Sequence, residues 1–165
     1  MNDTKRLQLI AEAVRYCKYV KKKGMPPTCY TKALREPIHF LWERRIGAIP
    51  PHFSGPKVCA AMFRSRKAKG VRFGKDKLVY DHAIPLNYLQ DELLNLSSVT
   101  ARRVKRLLNK FCIVVLITKK EDQKLNNANY QERMPDNWNG TSFRARYKAV
   151  GIKIVKNDCH MKAKK

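Results

Sequence analysis

The longest apolar run of the chain, from Phe111 to Ile117, is only long enough for a strand. Its β-branched residues predict a buried strand over 111–118. Thr118 follows at once and precedes Glu121 by three residues, which is the spacing of a capping box and predicts a helix from 118 to about 128. A buried strand that passes directly into a capped helix requires a fold in which helices and strands pack together.

Helical and extended patterns surround this central strand and helix. Apolar residues at helical spacing predict further helices, and a β-rich stretch that ends before Pro85 predicts a second strand. The predicted helices span 4–22, 31–46, 57–63, 87–96, 98–109 and 144–149, and the predicted outer strands span 77–84 and 152–155. We therefore expect an α+β fold, a mostly helical single domain with an embedded antiparallel strand pair plus helix.

The predicted organisation has three parts within the single domain 1–165. Residues 1–75 form an N-terminal helical region with a basic arm, 76–128 a core with a helical insertion at 86–110, and 129–165 a C-terminal extension. Asp3 or Thr4 is expected to cap the first helix, and Ser97-Ser98 the helix 98–109.

The chain carries far more positive than negative charge. Lys and Arg number 36 and Asp and Glu 13, which gives a formal net charge of +23. Such an excess destabilises a compact protein by self-repulsion unless an anionic partner lies against it. Nucleic acid is the first candidate and an anionic membrane the second, but no predicted helix sets a broad aromatic and leucine face against lysines. We therefore expect a nucleic-acid partner, no membrane, and no enzyme of small neutral metabolites.

Two basic segments are the candidate nucleic-acid contacts. The first contains glycines, which let a backbone approach a duplex closely, and its candidates are Arg64, Arg66, Lys67, Lys69 and Arg72. The second lies on the helix 98–109, where no acidic residue occurs from Val99 to Lys120, and its candidates are Arg102, Arg103, Lys105 and Arg106. Solvated loop and helix surfaces are the alternative interpretation of both segments.

Cysteine usage argues against a disulfide framework and against a zinc site. The five cysteines stand singly, and no Cys-x-x-Cys pair occurs. A cluster of Cys17, Cys29 and Cys59 with His52 is a minor alternative to free thiols.

Because charges begin at Asp3 and no apolar signal core follows, the expected compartment is the cytoplasm.

An acid–histidine pair closes the strand predicted at 77–84. Asp81 and His82 precede Pro85 in the pattern Asp-His-Ala-Ile-Pro. After the second strand, the helix from 118 offers Asp122 and Asn126, which are four residues apart and share one helix face. This order of strand, acid and histidine, second strand and acid-bearing helix resembles the HNH, or ββα-metal, endonuclease superfamily over residues 76–128.

The resemblance implies a metal-dependent endonuclease that hydrolyses phosphodiester bonds, with double-stranded DNA favoured over RNA. In the family pattern His82 is the general base and Asp81 a metal ligand, with Asp122 as second ligand and Asn126 or Glu121 as its substitute. The usual third histidine of the family is missing. Since oxygen ligands suit hard cations, this departure favours one Mg²⁺ or Mn²⁺ over Zn²⁺.

The geometry of an ideal strand and the high net charge leave alternatives open for the site and for the function. Asp81 and His82 point to opposite faces of an ideal strand, so one shared site requires a bend encouraged by Pro85. The alternative function is a non-catalytic basic nucleic-acid-binding protein. A homodimer with two active sites is expected only if the substrate is palindromic DNA. His39 and its neighbour Phe40 are interpreted as packing residues.

Overall fold

The first helix follows directly from the apolar spacing of the sequence. In this computed structural model, which describes residues 1–46, 58, 60–71 and 78–158, helix α1 spans Asp3–Lys22. Asn2 caps it by accepting a hydrogen bond from the Lys5 amide at 2.9 Å, in place of the expected Asp3 or Thr4. The buried face of α1 consists of Leu7, Ile10, Ala11, Val14 and Cys17.

The region predicted as one helix, 31–46, contains three consecutive helical segments. Helix α2 spans Thr28–Pro37, a π-helical turn spans Ile38–Trp42, and a 3₁₀ turn spans Glu43–Ile46. Pro37 has no N–H to donate, so the α-helical bonding pattern changes where the proline interrupts it. Ile38 and Trp42 stay buried through this change.

Within the described residues, four strands form one mixed sheet in the order β2-β3-β1-β4. The strands are β1 (Phe63–Ser65), β2 (Leu78–His82), β3 (Val114–Thr118) and β4 (Ile154–Lys156). The predicted antiparallel pair is confirmed as β2 and β3. Strand β1 runs parallel to β3 and antiparallel to β4, so it lies inside the sheet.

Of the described basic residues predicted to form an arm, Arg64 lies in this sheet, and Arg66 and Lys67 lie in a 3₁₀ turn that follows it. Arg64 lies in β1, and its Nε donates to Asn157 Oδ1 at 3.0 Å. The segment is fixed because Ser65 is fully buried and its hydroxyl donates to the Glu121 carboxylate at 2.5 Å. The exposed side chains of the segment are Arg66, Lys67 and Lys69, and Arg72 lies outside the described residues.

Part of the predicted helix 57–63 also lies outside the described residues. Residues 57 and 59 are in that part, 58 and 60 are helical, and Phe63 begins β1. The prediction of a helix that continues to 63 is therefore wrong at its end.

Four further helices in the described part of the chain follow β2. They are α3 (Leu86–Leu94), α4 (Ala101–Phe111), α5 (Lys119–Asn127) and α6 (Ala145–Ala149). Helix α4 is capped by the Thr100 hydroxyl, which accepts from the Arg103 amide at 3.3 Å, so the expected Ser97-Ser98 cap is wrong. The capping box of α5 is confirmed, because Thr118 and Glu121 each accept a hydrogen bond from the backbone N–H of the other.

Two main apolar clusters show how the layers pack. One joins α1 and α2 to α3 and α4, and the other joins the β3 side chains Val115 and Ile117 to Leu125 of α5 and Tyr147 of α6. The architecture confirms an α+β, mostly helical single domain. None of the helices in the described part of the chain is long and apolar enough to cross a membrane.

Candidate active site

Strand β2 presents Asp81 and His82 to opposite faces of the sheet. Its pairing with β3 is regular, with Asp81 opposite Val115 and His82 opposite Val114. Side chains alternate along a regular strand. The bend expected near Pro85 therefore does not occur within β2, and the expectation that it brings His82 to the side of Asp81 and Asp122 is corrected.

His82 instead contacts a buried carboxylate that follows the π-helical turn. Glu43 is 5% exposed, and its Oε1 lies 2.6 Å from His82 Nε2. Its other oxygen, Oε2, lies 2.8 Å from His39 Nδ1. One carboxylate thus holds two imidazoles, one from the π-helical turn and one from the end of β2.

Two further donors complete the surroundings of Glu43. The Tyr80 hydroxyl donates to Glu43 Oε2 at 3.0 Å, and the Cys112 thiol lies 3.6 Å from Oε1. Burial acts to raise the pKa of Glu43, but the hydrogen bonds from His39, His82 and Tyr80 outweigh it and hold the pKa well below its usual range. Burial and then the Glu43 charge raise the pKa of Tyr80 and of Cys112. Glu43 is therefore the ionised group, and Tyr80 and Cys112 keep their protons.

The hydrogen bonds to Glu43 select the imidazole tautomers. His82 directs Nε2 at the carboxylate, so a neutral ring carries its proton there and leaves Nδ1 as the basic nitrogen. His39 directs Nδ1 at the carboxylate and leaves Nε2. Both side chains remain about one-fifth exposed, at 19% for His39 and 21% for His82. Each ring therefore has a nitrogen that is not engaged by Glu43.

The two imidazoles line an open cleft of about 750 Å³. Its wall also includes Arg35, Arg44 and the exposed ring of Phe40, with the Arg44 guanidinium 5.4 Å from the centre of that ring. Asp81 also lines this cleft. The wall also carries the acids Glu36 and Glu132, so the part of the cleft suited to an anionic group is the side formed by Arg35 and Arg44.

On the other face of β2, Asp81 is held by the C-terminal part of the chain. The Arg146 guanidinium donates to Asp81 Oδ2 at 2.8 Å, and the Tyr147 hydroxyl donates to the same oxygen at 2.5 Å. Arg146 is fully buried and also donates to the carbonyl oxygens of Ala83, His82, Tyr130 and Gln131. Asp81 is thus an anchor for the chain segment that carries Arg146.

The other predicted metal ligands lie on the Asp81 side. Burial and then the Asp81 charge raise the pKa of Asp122, against the lowering effect of Asn126 and Arg146. Asn126 donates to Asp122 Oδ2 at 3.5 Å. Among the described residues, the Oδ1 atom of Asn126 is buried and without a hydrogen-bond partner.

These oxygen donors fit a hard cation in their chemistry. An unpartnered buried amide oxygen beside an acid whose charge is disfavoured is a place that a cation would stabilise. Arg146 already neutralises Asp81, and the alternative ligand Glu121 is taken by its capping box and Ser65. In the described part of the chain, no group of three or more His, Cys, Asp or Glu is arranged to hold a metal ion. The fit therefore rests on Asp122 and Asn126.

The basic residues predicted on α4 form a surface that shares no lining residue with the cleft. These residues are Arg102, Arg103, Lys105 and Arg106. Their side chains are exposed and, together with Thr100 and Asn109, line a shallow depression of about 550 Å³. Arg103 is also tied to Ser97 Oγ at 3.0 Å.

Sequence reasoning missed Glu43 and assigned His39 to packing. The spacing of four residues between His39 and Glu43 could have indicated their contact, because side chains at i and i+4 are neighbours on a helical surface. What the sequence did not indicate is that the end of β2, 39 residues farther on, would place His82 on the same carboxylate.

Comparisons of the chain with protein-family models, with curated proteins and with solved structures found no match. The candidate site stands on its residues and geometry.

The ionised state of Glu43 should make stability depend on pH. Because its pKa is lower in the folded than in the unfolded chain, its stabilising effect is present above the unfolded value of about 4.3 and is lost as pH falls below it. Glu43→Gln removes this effect. The difference in free energy of unfolding between wild type and variant, measured by urea titration, should therefore shrink from pH 6 to about pH 3.

Glu12→Gln is the matched control, since Glu12 is an exposed carboxylate paired only with Arg15 on the surface of α1. It should show little pH-dependent difference from wild type. A Glu43→Gln difference that stays constant across this pH range would contradict an ionised, hydrogen-bonded Glu43.

Proposed function

We propose that the protein is a nuclease that cleaves phosphodiester bonds of nucleic acid, with His82 as the general base. The observation that carries the proposal is the 2.6 Å contact of His82 Nε2 with buried Glu43, in a ring that lines a cleft with arginines in its wall. An imidazole oriented by a carboxylate is suited to accept a proton near neutral pH. The net charge of +23 supports a polyanionic substrate.

The chemistry assigned to the cleft residues is simple. The Nδ1 atom of His82 accepts a proton from the attacking water. Arg35 and Arg44 stabilise the negative charge of the phosphate as it grows in the transition state. Glu43 keeps the His82 ring in place and stabilises the imidazolium that forms.

A divalent cation, Mg²⁺ or Mn²⁺ rather than Zn²⁺, is part of the proposal, with double-stranded DNA as the favoured substrate. Asp122 and Asn126 would hold the cation, with Asp81 as a neighbour shared with Arg146. When bound, such a cation would neutralise negative charge on the Asp81 face of β2, which is the face opposite His82. The support is the chemistry of these oxygen donors and the unpartnered Asn126 oxygen.

The test is cleavage of supercoiled plasmid and of a structured RNA by wild type and His82→Ala, with Mg²⁺, with Mn²⁺ and with EDTA. Cutting that the variant loses supports the nuclease, and loss of cutting in EDTA supports the metal. No cutting by wild type in any condition, together with salt-sensitive binding of the same nucleic acids, would support the binding protein instead.

A non-catalytic nucleic-acid-binding protein is the second candidate, and the α4 surface favours it. The basic side chains there are exposed, and no acid occurs from Val99 to Lys120 to pair with them. A helix face of this kind contacts the phosphate backbone without reading sequence. Both candidate functions use this surface, so its removal tests binding and not cleavage.

Neutralising the α4 surface should weaken binding and its salt dependence. In the triple variant Arg102→Gln, Lys105→Gln and Arg106→Gln, three phosphate contacts are lost, so the negative slope of log K against log salt should become shallower by about 3. The affinity should fall about 10- to 100-fold near 0.15 M salt. Fluorescence anisotropy with labelled duplex measures both. The control removes equal charge from exposed Lys21, Lys22 and Lys23 at the end of α1, and an equal loss in both variants would contradict a specific α4 contact.

A further inference from the structure

Glu43 joins two imidazoles in one cleft, and the nuclease mechanism above uses only one of them. His39 Nδ1 and His82 Nε2 contact different oxygens of this carboxylate, at 2.8 and 2.6 Å. Both rings are partly exposed, and both line the same cleft. A histidine that only packed against the core would not need to line this opening with part of its ring exposed.

We propose that His39 is a second catalytic residue, the general acid that protonates the leaving oxygen. The inference rests on the proposed nuclease function and extends it to a second residue that lines the same cleft. Phosphodiester cleavage needs a proton removed from the nucleophile and a proton delivered to the leaving oxygen. His82 and His39 are placed to serve as the two proton-transfer groups.

The protons and bonds balance for this pair. His82 accepts the proton of the attacking water as the new P–O bond forms. The bond from phosphorus to the leaving oxygen breaks, and Nε2 of protonated His39 donates its proton to that oxygen. His39 ends neutral and His82 ends protonated, and both return to their starting states by exchange with solvent.

The shared carboxylate suits this exchange of roles. Before the reaction Glu43 faces one imidazolium, on His39, and afterwards it faces one imidazolium, on His82. The net charge of the three groups is zero in both states, so the buried carboxylate is never left without a cationic neighbour. Two separate carboxylates would not keep this balance.

The surroundings of His39 favour contact with a nucleotide. Phe40 is 53% exposed, and its ring lies 5.0 Å from that of His39 in an edge-to-face arrangement. Other charged or titratable groups in the cleft wall around His39 are Arg35, Glu36, Arg44, Tyr80, Asp81 and Glu132. An exposed aromatic ring with a neighbouring arginine is a surface on which a base can stack beside the reacting phosphate.

The experiment compares leaving groups that do and do not need a proton. The substrate is an oligonucleotide that wild type cleaves, made with oxygen or with sulfur at the 3′ or the 5′ bridging position of the cut phosphate. A thiolate leaves without protonation, because a thiol has a pKa of about 8.5. Cleavage rates of wild type, His39→Gln, His39→Ala and His82→Gln are measured on each substrate.

If His39 is the acid, both His39 variants should cleave the oxygen substrate at least about 100-fold more slowly than wild type, and one sulfur substrate within about threefold of wild type. His82→Gln should stay slow on every substrate. Phe40→Ala alters the same wall without removing a proton donor, so its loss should be equal on oxygen and sulfur.

Three outcomes would overturn the inference. Equal losses of the His39 variants on oxygen and both sulfur substrates would make His39 a positioning residue, with the nuclease proposal intact. Wild-type rates in the His39 variants on the oxygen substrate would leave His39 with no part in the reaction. Failure of wild type to cleave any substrate would overturn the nuclease proposal together with the role of His39. Circular dichroism of each variant shows that a lost rate is not a lost fold.

Discussion

Replacing His82 by alanine should slow nucleic-acid cleavage by about 100- to 10,000-fold, which is the range that general-base catalysis contributes. The imidazole supplies the basic Nδ1 atom in the cleft, and Glu43 at 2.6 Å fixes its orientation. Alanine removes the base and leaves the arginine wall in place. Affinity for uncleaved substrate should therefore change little, and the loss should appear in kcat under saturating substrate.

Tyr80→Phe is the matched control for His82→Ala. Tyr80 is on the same face of β2 and donates to the same carboxylate at 3.0 Å, but it keeps its proton under the conditions of the reaction. Removing its hydroxyl should cost much less than removing His82. If both variants lost activity to the same extent, the effect would come from damage to the Glu43 cluster and not from loss of a base.

Arg146→Met should be the most destabilising of the single replacements considered. The guanidinium is fully buried and satisfies four backbone carbonyls besides Asp81. Methionine fills the volume but leaves the Asp81 carboxylate, which is 15% exposed, without its cationic partner. Removing one partner of such a pair costs about 3–5 kcal/mol, which corresponds to a fall in Tm of about 10 °C for a domain of this size.

Arg133→Met serves as the control for Arg146→Met, because Arg133 is exposed and makes a single hydrogen bond to the Asn129 carbonyl. Its effect on the free energy of unfolding should stay within about 0.5 kcal/mol. Chemical denaturation of both variants measures the difference. Equal small effects in the two variants would show that the Arg146 network contributes little to stability.

Local patterns predicted the elements whose signals lie within a few residues. The capping box that starts α5 and the end of the predicted strand 111–118 are confirmed because the Thr118–Glu121 spacing and β-branched composition act over short range. The start of that strand was wrong, since Phe111 ends α4 and β3 begins at Val114. Strand β1 was missed because its three residues are basic in part and are held by distant partners. Ser65 donates to Glu121, 56 residues away, and Arg64 to Asn157, 93 residues away.

In the candidate site, too, features set by neighbouring residues could be predicted from the sequence, and features set by distant residues could not. The exposure of His82 at a strand end and the closeness of Asp122 and Asn126 follow from local spacing, and the alternation of Asp81 and His82 is that of an ideal strand. The expected bend would need Asp81 to leave its face of the sheet, where Arg146 and Tyr147 hold it. Glu43 could not be joined to His82 from the sequence, because only the packing of the helical region on β2 brings them together.

The position of β1 between β3 and β4 has a consequence for synthesis of the chain. During synthesis, β1 emerges from the ribosome before its neighbour β4, which spans residues 154–156. It also emerges before Arg146, whose guanidinium donates to Asp81. The sheet therefore cannot gain its last strand, and the end of β2 that carries His82 cannot gain its contacts to Arg146, until residues 146 to 156 have been made. A product that stops after residue 128 would lack β4 and the Arg146 contacts to Asp81.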